Sequence, residues 1–186
     1  MKPLSLLIVM ALVAVVGMAL QHLKPVSASS ERASAEPLVH VRNTFELTVR
    51  APYKVAAPLF GADAERAWGG PDWKPQFLYP QPAEDRASAV FTVAHGHHQS
   101  VWVNTIFDLE KGNVQYVSVI DGVMVTKIDI HLAAADANST RVNVSYERTA
   151  LNAEANGHVR HFGEADHANG KEWEGAINSY LAKKKI

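Results

Sequence analysis

From His40 onward, polar and apolar residues alternate without a break. Val41, Asn43, Phe45, Leu47 and Val49 share one side, while His40, Arg42, Thr44, Glu46, Thr48 and Arg50 share the other. A period of two predicts a strand with one buried face, and Asn43 is the polar member of that face. Ala51-Pro52 ends the strand. Pro52 pre-sets a helix start for residues 53–57, which Pro58 disturbs and Gly61 breaks. Asp63 is placed to cap a second short helix running to Trp68, and Gly69-Gly70-Pro71 stops it. Five further runs read as strands, at residues 89–95, 101–109, 114–120, 123–132 and 141–151. Asp121-Gly122 between the third and fourth of these is a two-residue hairpin signal. Strands joined by successive hairpins predict an antiparallel meander with one face open to water.

The period then changes. Val159, Phe162, Asp166, Asn169, Trp173, Ala176, Ile177, Tyr180 and Leu181 recur at three and four residues, which predicts one long helix ending near Ala182. Gly163, Gly170 and Gly175 lie inside it, and Asp166 and Asn169 interrupt its apolar stripe. Such a face predicts a helix that packs loosely in places and roofs a cavity.

Ahead of the folded part, residues 4–20 form an apolar run broken only by Ser5, directly behind Met1-Lys2-Pro3. A basic start, an apolar stretch and small-residue sites at Val26-Ser27-Ala28 and Ala33-Ser34-Ala35 read as a secretory signal. The run is also at the short edge of what spans a bilayer, so a retained signal-anchor is the alternative. Both readings place the protein outside the cytoplasm, periplasmic or secreted, and the anchor keeps it near a membrane. The chain divides into a signal at 1–28, a Ser/Ala-rich linker at 29–38 and one domain at 39–186.

Composition narrows the function classes. Loss of Lys2 and Lys24 with the signal moves the net charge from -1 to -3. A mildly acidic domain lacks the electrostatic footprint of a nucleic-acid binder. The chain has no cysteine, which excludes disulfides, thiol catalysis and thiolate metal sites. His95-Gly96-His97-His98 is the densest reactive cluster, but it lacks the spacing of a metal motif, and no metal or cofactor is called for. His95 reads as a polar contact inside a cavity, on the face of Phe91 and Val93. Asp166 and Asn169 read as groups that orient a ligand's polar head. Trp102 and Tyr116 lie on strands, and Tyr146 shares a face with Val142 and Val144. Trp68 and Trp73 flank the Gly69-Gly70-Pro71 segment, where they anchor the loop or gate entry.

Four short segments fall into a familiar order. Val49-Arg50-Ala51-Pro52 closes the first strand and Trp68-Gly69-Gly70-Pro71-Asp72-Trp73 ends the second short helix. Tyr146-Glu147-Arg148-Thr149-Ala150-Leu151 ends the last strand, and Trp173-Glu174-Gly175-Ala176-Ile177 lies in the long helix. The chain resembles the START and polyketide-cyclase-like (SRPBCC) superfamily over roughly residues 43–181. The resemblance implies an α+β helix-grip fold, with a curved antiparallel sheet around the long C-terminal helix and an apolar cavity between them. It implies a binding or carrier protein for a small hydrophobic ligand such as a lipid, sterol or polyketide-like molecule. The alternative is a cyclase or hydrolase working in the same cavity, with His95 as base and Asp166 or His161 as its partner. The superfamily has no single catalytic set, so no catalytic residue is carried over. The expected ligand-binding residues are Phe91, His95, Tyr116, Tyr146, Phe162, Asp166, Asn169 and Trp173.

Overall fold

A computed structural model describes residues 36–95 and 98–184, with the His95 side chain left out; the apolar run at 4–20 and its cleavage sites lie outside the described residues. The alternating segment forms β1 (His40–Val49), whose inward residues Val41, Asn43, Phe45, Leu47 and Val49 are half-buried to buried, as the period of two dictates. The chain then makes α1 (Tyr53–Ala56) and runs straight into a 3₁₀ turn over Ala57–Phe60, so Pro58 tightens the helix instead of ending it. A second 3₁₀ turn covers Ala64–Ala67. Asp63 does not cap it. The Asp63 carboxylate accepts from Arg66, and the Asp85 carboxylate accepts from the backbone N–H groups of Asp63 and Ala64 at 2.8 and 3.0 Å. The cap comes from a residue distant in sequence, which local pattern cannot reveal.

The remaining strands are β2 (Gln76–Tyr79), β3 (Val90–His95), β4 (His98–Asp108), β5 (Asn113–Ile120), β6 (Met124–Ala134) and β7 (Thr140–Ala150). They form one antiparallel, curved, seven-stranded sheet in the order β1-β7-β6-β5-β4-β3-β2. The four-residue β2 has too short a pattern to stand out from the surrounding prolines. The β5–β6 loop spans three residues, because Ile120 pairs with Met124 and Gly122 adopts a φ of 64°. A G1-bulge-like loop of this kind uses the same Asp-Gly signal as the two-residue turn.

Helix α2 (Asn156–Lys184) lies along β1 at the sheet edge. An edge strand exposes unpaired backbone groups, and here α2 covers them. Glu174 accepts from the Thr48 N–H at 2.8 Å, and Asn178 both accepts from the Arg50 N–H at 2.7 Å and donates to the Thr48 carbonyl at 3.0 Å. Gly163 and Gly170 mark close approach, not loose packing. A Cβ at Gly170 would sit 3.2 Å from Phe45 Cδ2, and one at Gly163 would sit 3.1 Å from Val41 Cγ2. At Gly175 a Cβ meets open space. Gly175→Ala is therefore expected to raise stability by about 0.5–1 kcal/mol through helix propensity. Gly170→Val should lower it by about 2–3 kcal/mol, through overpacking and the poor fit of a β-branched residue. Urea titrations of the two variants test this, and equal midpoints would show that α2 does not touch β1 at Gly170.

Candidate functional site: a cavity between sheet and helix

The register of the strands builds the floor of an internal cavity in rows. Tyr116, Ile128 and Tyr146 stand side by side across β5, β6 and β7. The next row, Trp102, Ser118, Thr126 and Arg148, runs across β4 to β7. One more step brings Ile120 opposite Met124. With Glu65 and Trp73 from the short-turn segment and His158, Phe162 and Trp173 from α2, these rows enclose about 470 Å³. That volume is in the range of small-molecule sites, and the lining is mostly aliphatic and aromatic, as such sites are. Trp73, Trp102 and Tyr116 meet edge to face at 5.5 and 6.2 Å between ring centres, and Tyr146 meets Trp173 at 6.5 Å. Exposed His98, His158 and Phe162 rim the cavity.

Two ionisable groups reach this apolar space, and their surroundings differ. Arg148 is compensated. Its Nε and Nη2 donate to the two oxygens of Asp166 at 3.1 and 2.6 Å, its Nη1 donates to Thr126 Oγ1 at 3.2 Å, and its guanidinium lies 4.6 Å from the Tyr146 ring centre and 5.5 Å from that of Phe162. Asp166 is 1 % exposed and also accepts from Asn43 and Asn169, each at 3.4 Å. Asn43, the polar residue on the inner face of β1, thus belongs to a buried polar cluster, and it donates to the Gly163 carbonyl at 2.8 Å as well. Fork-to-fork pairing is the geometry in which a buried guanidinium and carboxylate tolerate loss of water.

Glu65 is uncompensated. Its carboxyl makes no hydrogen bond or ion pair with any described residue, and the side chain lines the cavity. Burial first, and the Asp85 carboxylate second, push its pKa up to about 8. The residue is half-buried, and its side chain lines the cavity. The Tyr116 hydroxyl is pushed well above its ordinary pKa by burial, then by Glu65 and Asp85, and it donates to the Phe60 carbonyl at 2.9 Å. The Tyr146 hydroxyl is also raised, chiefly by burial.

Of the residues expected from sequence, Tyr116, Tyr146, Phe162 and Trp173 line the cavity together. Phe91 is fully buried behind that wall, stacked between Phe77 and Trp102 at 5.3 and 5.7 Å. Asp166 and Asn169 stand outside the lining, because Asp166 faces Arg148 and Asn169 faces Asp166. The side chain of His95, with Gly96 and His97, lies outside the described residues. His161 is exposed and not part of the lining, so it does not meet Asp166 in the cavity. Among the described residues no three His, Asp or Glu side chains converge as a metal would require. Both loop tryptophans are tied down, Trp68 Nε1 donating to the Leu59 carbonyl at 2.8 Å and Trp73 Nε1 to the Ala62 carbonyl at 2.9 Å.

Comparison with solved structures meets the same architecture. Norcoclaurine synthase from Thalictrum flavum, as a point mutant with a transition-state analogue, superposes with a TM-score of 0.59 at 14 % identity, covering 81 % of this chain and 99 % of that one. Ara h 8.0201 superposes with a TM-score of 0.52 at 16 % identity, covering 76 % and 99 %. The fold is the helix grip that the sequence resemblance implied. A hypothetical protein of Helicobacter pylori shares this helix grip with a TM-score of 0.61 at 9 % identity, over 75 % of this chain and 87 % of that one. No family model matches the sequence, and no curated protein matches it. At these identities the likeness speaks for the helix grip alone, so the residues that fill the cavity are this chain's own.

Proposed function

We propose that the protein binds a small hydrophobic ligand in the cavity between sheet and helix, as an exported binding or carrier protein. The observation that carries the reading is the 470 Å³ apolar, aromatic-lined space, which a domain of this size would otherwise fill with its own side chains. Apolar burial supplies the driving force, and the few polar groups of the wall fix orientation. The apolar run at residues 4–20 supports delivery outside the cytoplasm. Among the described residues no helix is long and apolar enough to cross a membrane.

A second reading, an enzyme on the same kind of molecule, is favoured by Glu65. An unpaired carboxyl whose pKa is raised to about 8 beside a ligand space has the protonation balance of a general acid or base near neutral pH. Asp166 does not offer this, because Arg148 holds both its oxygens. Norcoclaurine synthase is by its name a catalyst on this fold. The test is to express the domain from residue 36 onward, purify it without detergent and extract it for mass spectrometry. A stoichiometric hydrophobic molecule is the expected result for a carrier. An empty protein that turns over an added substrate, with the rate lost in Glu65→Gln, would replace the carrier by the enzyme.

A further inference from the structure

The cavity wall carries one charge that the protein neutralises itself and one that it does not. Arg148 already has Asp166 on two donors and Thr126 on a third, with Tyr146 and Phe162 beside its guanidinium. Glu65 has no partner among the described residues, and six aromatic side chains share its cavity: Trp73, Trp102, Tyr116, Tyr146, Phe162 and Trp173. A carboxyl left unpaired at an apolar wall is costly unless something completes it. An organic ammonium completes it twice over, pairing with the carboxylate and lying against ring faces that attract cations. An anionic ligand would instead compete with Asp166 for Arg148, and ionisation of Glu65 as pH rises toward 8 would repel it. We infer that the ligand is a hydrophobic amine, an apolar body carrying one cationic nitrogen, and that Glu65 is its counter-ion within the aromatic wall. The inference rests on the cavity-binding reading above and narrows it to a substrate class.

Proton linkage makes the inference measurable. In the empty cavity Glu65 is mostly protonated at neutral pH, so an incoming ammonium must displace that proton. The other ionisable groups around it are Asp85 from the loop ahead of β3, Tyr116 on β5, Tyr146 and Arg148 on β7, and Asp166 and His158 on α2, with His98 on β4 at the rim. The Asp85 carboxylate is held by two backbone N–H groups, and the two tyrosines stay neutral well above pH 8. The variant at Glu65 separates its part of any pH dependence from that of His98 and His158 at the rim.

The experiment titrates the domain with 4-phenylbutylamine, 4-phenylbutanol and 4-phenylbutyrate, following quenching of the cavity tryptophans. The amine is expected to bind at least about tenfold more tightly than the alcohol at pH 8, with the carboxylate weakest. Amine affinity should climb by about tenfold from pH 6 to pH 7 and flatten near pH 8, with a proton released on binding. In Glu65→Gln the amine-to-alcohol ratio should fall to about one and lose most of its pH dependence. An alcohol that binds as well as the amine, a preference that survives Glu65→Gln, or a carboxylate that binds best would overturn the amine assignment while leaving the cavity reading in place. Failure of all three compounds to bind would overturn both.

Discussion

Asp166→Ala is expected to destabilise the domain by about 3–5 kcal/mol, the largest single effect foreseen for any side chain of the cavity wall. The substitution strands the Arg148 guanidinium, whose side chain is 10 % exposed, with its charge unpaired, and it removes one of the two acceptors of Asn43 and the acceptor of Asn169. The loss comes from the uncompensated charge and not from any large net gain in forming the pair. Replacing both partners with apolar residues, Arg148→Met with Asp166→Leu, should therefore recover most of the stability lost by the single variant. Chemical denaturation of the wild type, Arg148→Met, Asp166→Leu and the double variant closes the cycle, with Asp166→Ala measured beside it. A double variant as weak as Asp166→Ala would show that the wider polar cluster, not the charge, is what the site needs.

The second large effect is a pH dependence. Unfolded Glu65 ionises near 4.5, the ordinary value for a solvated glutamate, whereas burial raises folded Glu65 to about 8. Between these values the folded state binds more protons than the unfolded one. Stability is therefore fully present below pH 4.5 and is lost as pH rises through the window toward 8. From pH 5 to pH 7.5 the Glu65 contribution should fall by about 2–3 kcal/mol. Glu65→Gln keeps the shape and removes the titration, so its stability should change less with pH and exceed that of the wild type at pH 7.5. Thermal melts at matched ionic strength across this range decide it, and parallel curves for wild type and variant would mean that Glu65 is solvated in the folded protein. Bound amine should reverse the sign of the difference, because it stabilises the charged carboxylate only in the wild type.

The helix-grip layout was legible in the sequence because it is written in periods. The inward face of β1, the strand runs that became β3 to β7 and the three-and-four spacing of α2 all follow from burial of one face per element. What local pattern could not reveal lies between elements. Asp85 caps a turn that begins 22 residues upstream, and β2 is too short for alternation to declare itself. Asp166 is legible as a polar residue on the stripe of α2, but its partner lies on β7, beyond the reach of local pattern. A signal was there: Arg148 follows Val142, Val144 and Tyr146 on one face, and a charged residue on an inward face demands an opposite charge. The same rule pairs it with Asp166, which leaves Asp166 no free oxygen for a ligand. Glu65 carries no such signal, since a 3₁₀ turn of four residues has no periodicity and its exposure is decided by how the loop closes over the cavity. Gly163 and Gly170 read as weak points in a helix, and only the approach of β1 shows them to be points of contact.

The central claim is that the space between sheet and α2 is a ligand site. The most direct measurement is a titration with the neutral fluorophore N-phenyl-1-naphthylamine, in the wild type and in Ser118→Phe, which places a ring in the middle row of the cavity floor from a residue 5 % exposed. The prediction is saturable one-site binding with a micromolar Kd in the wild type and a loss of at least about tenfold in a variant that melts within a few degrees of it. Weak, unsaturable binding in the wild type, or equal binding in a folded Ser118→Phe, would contradict the account.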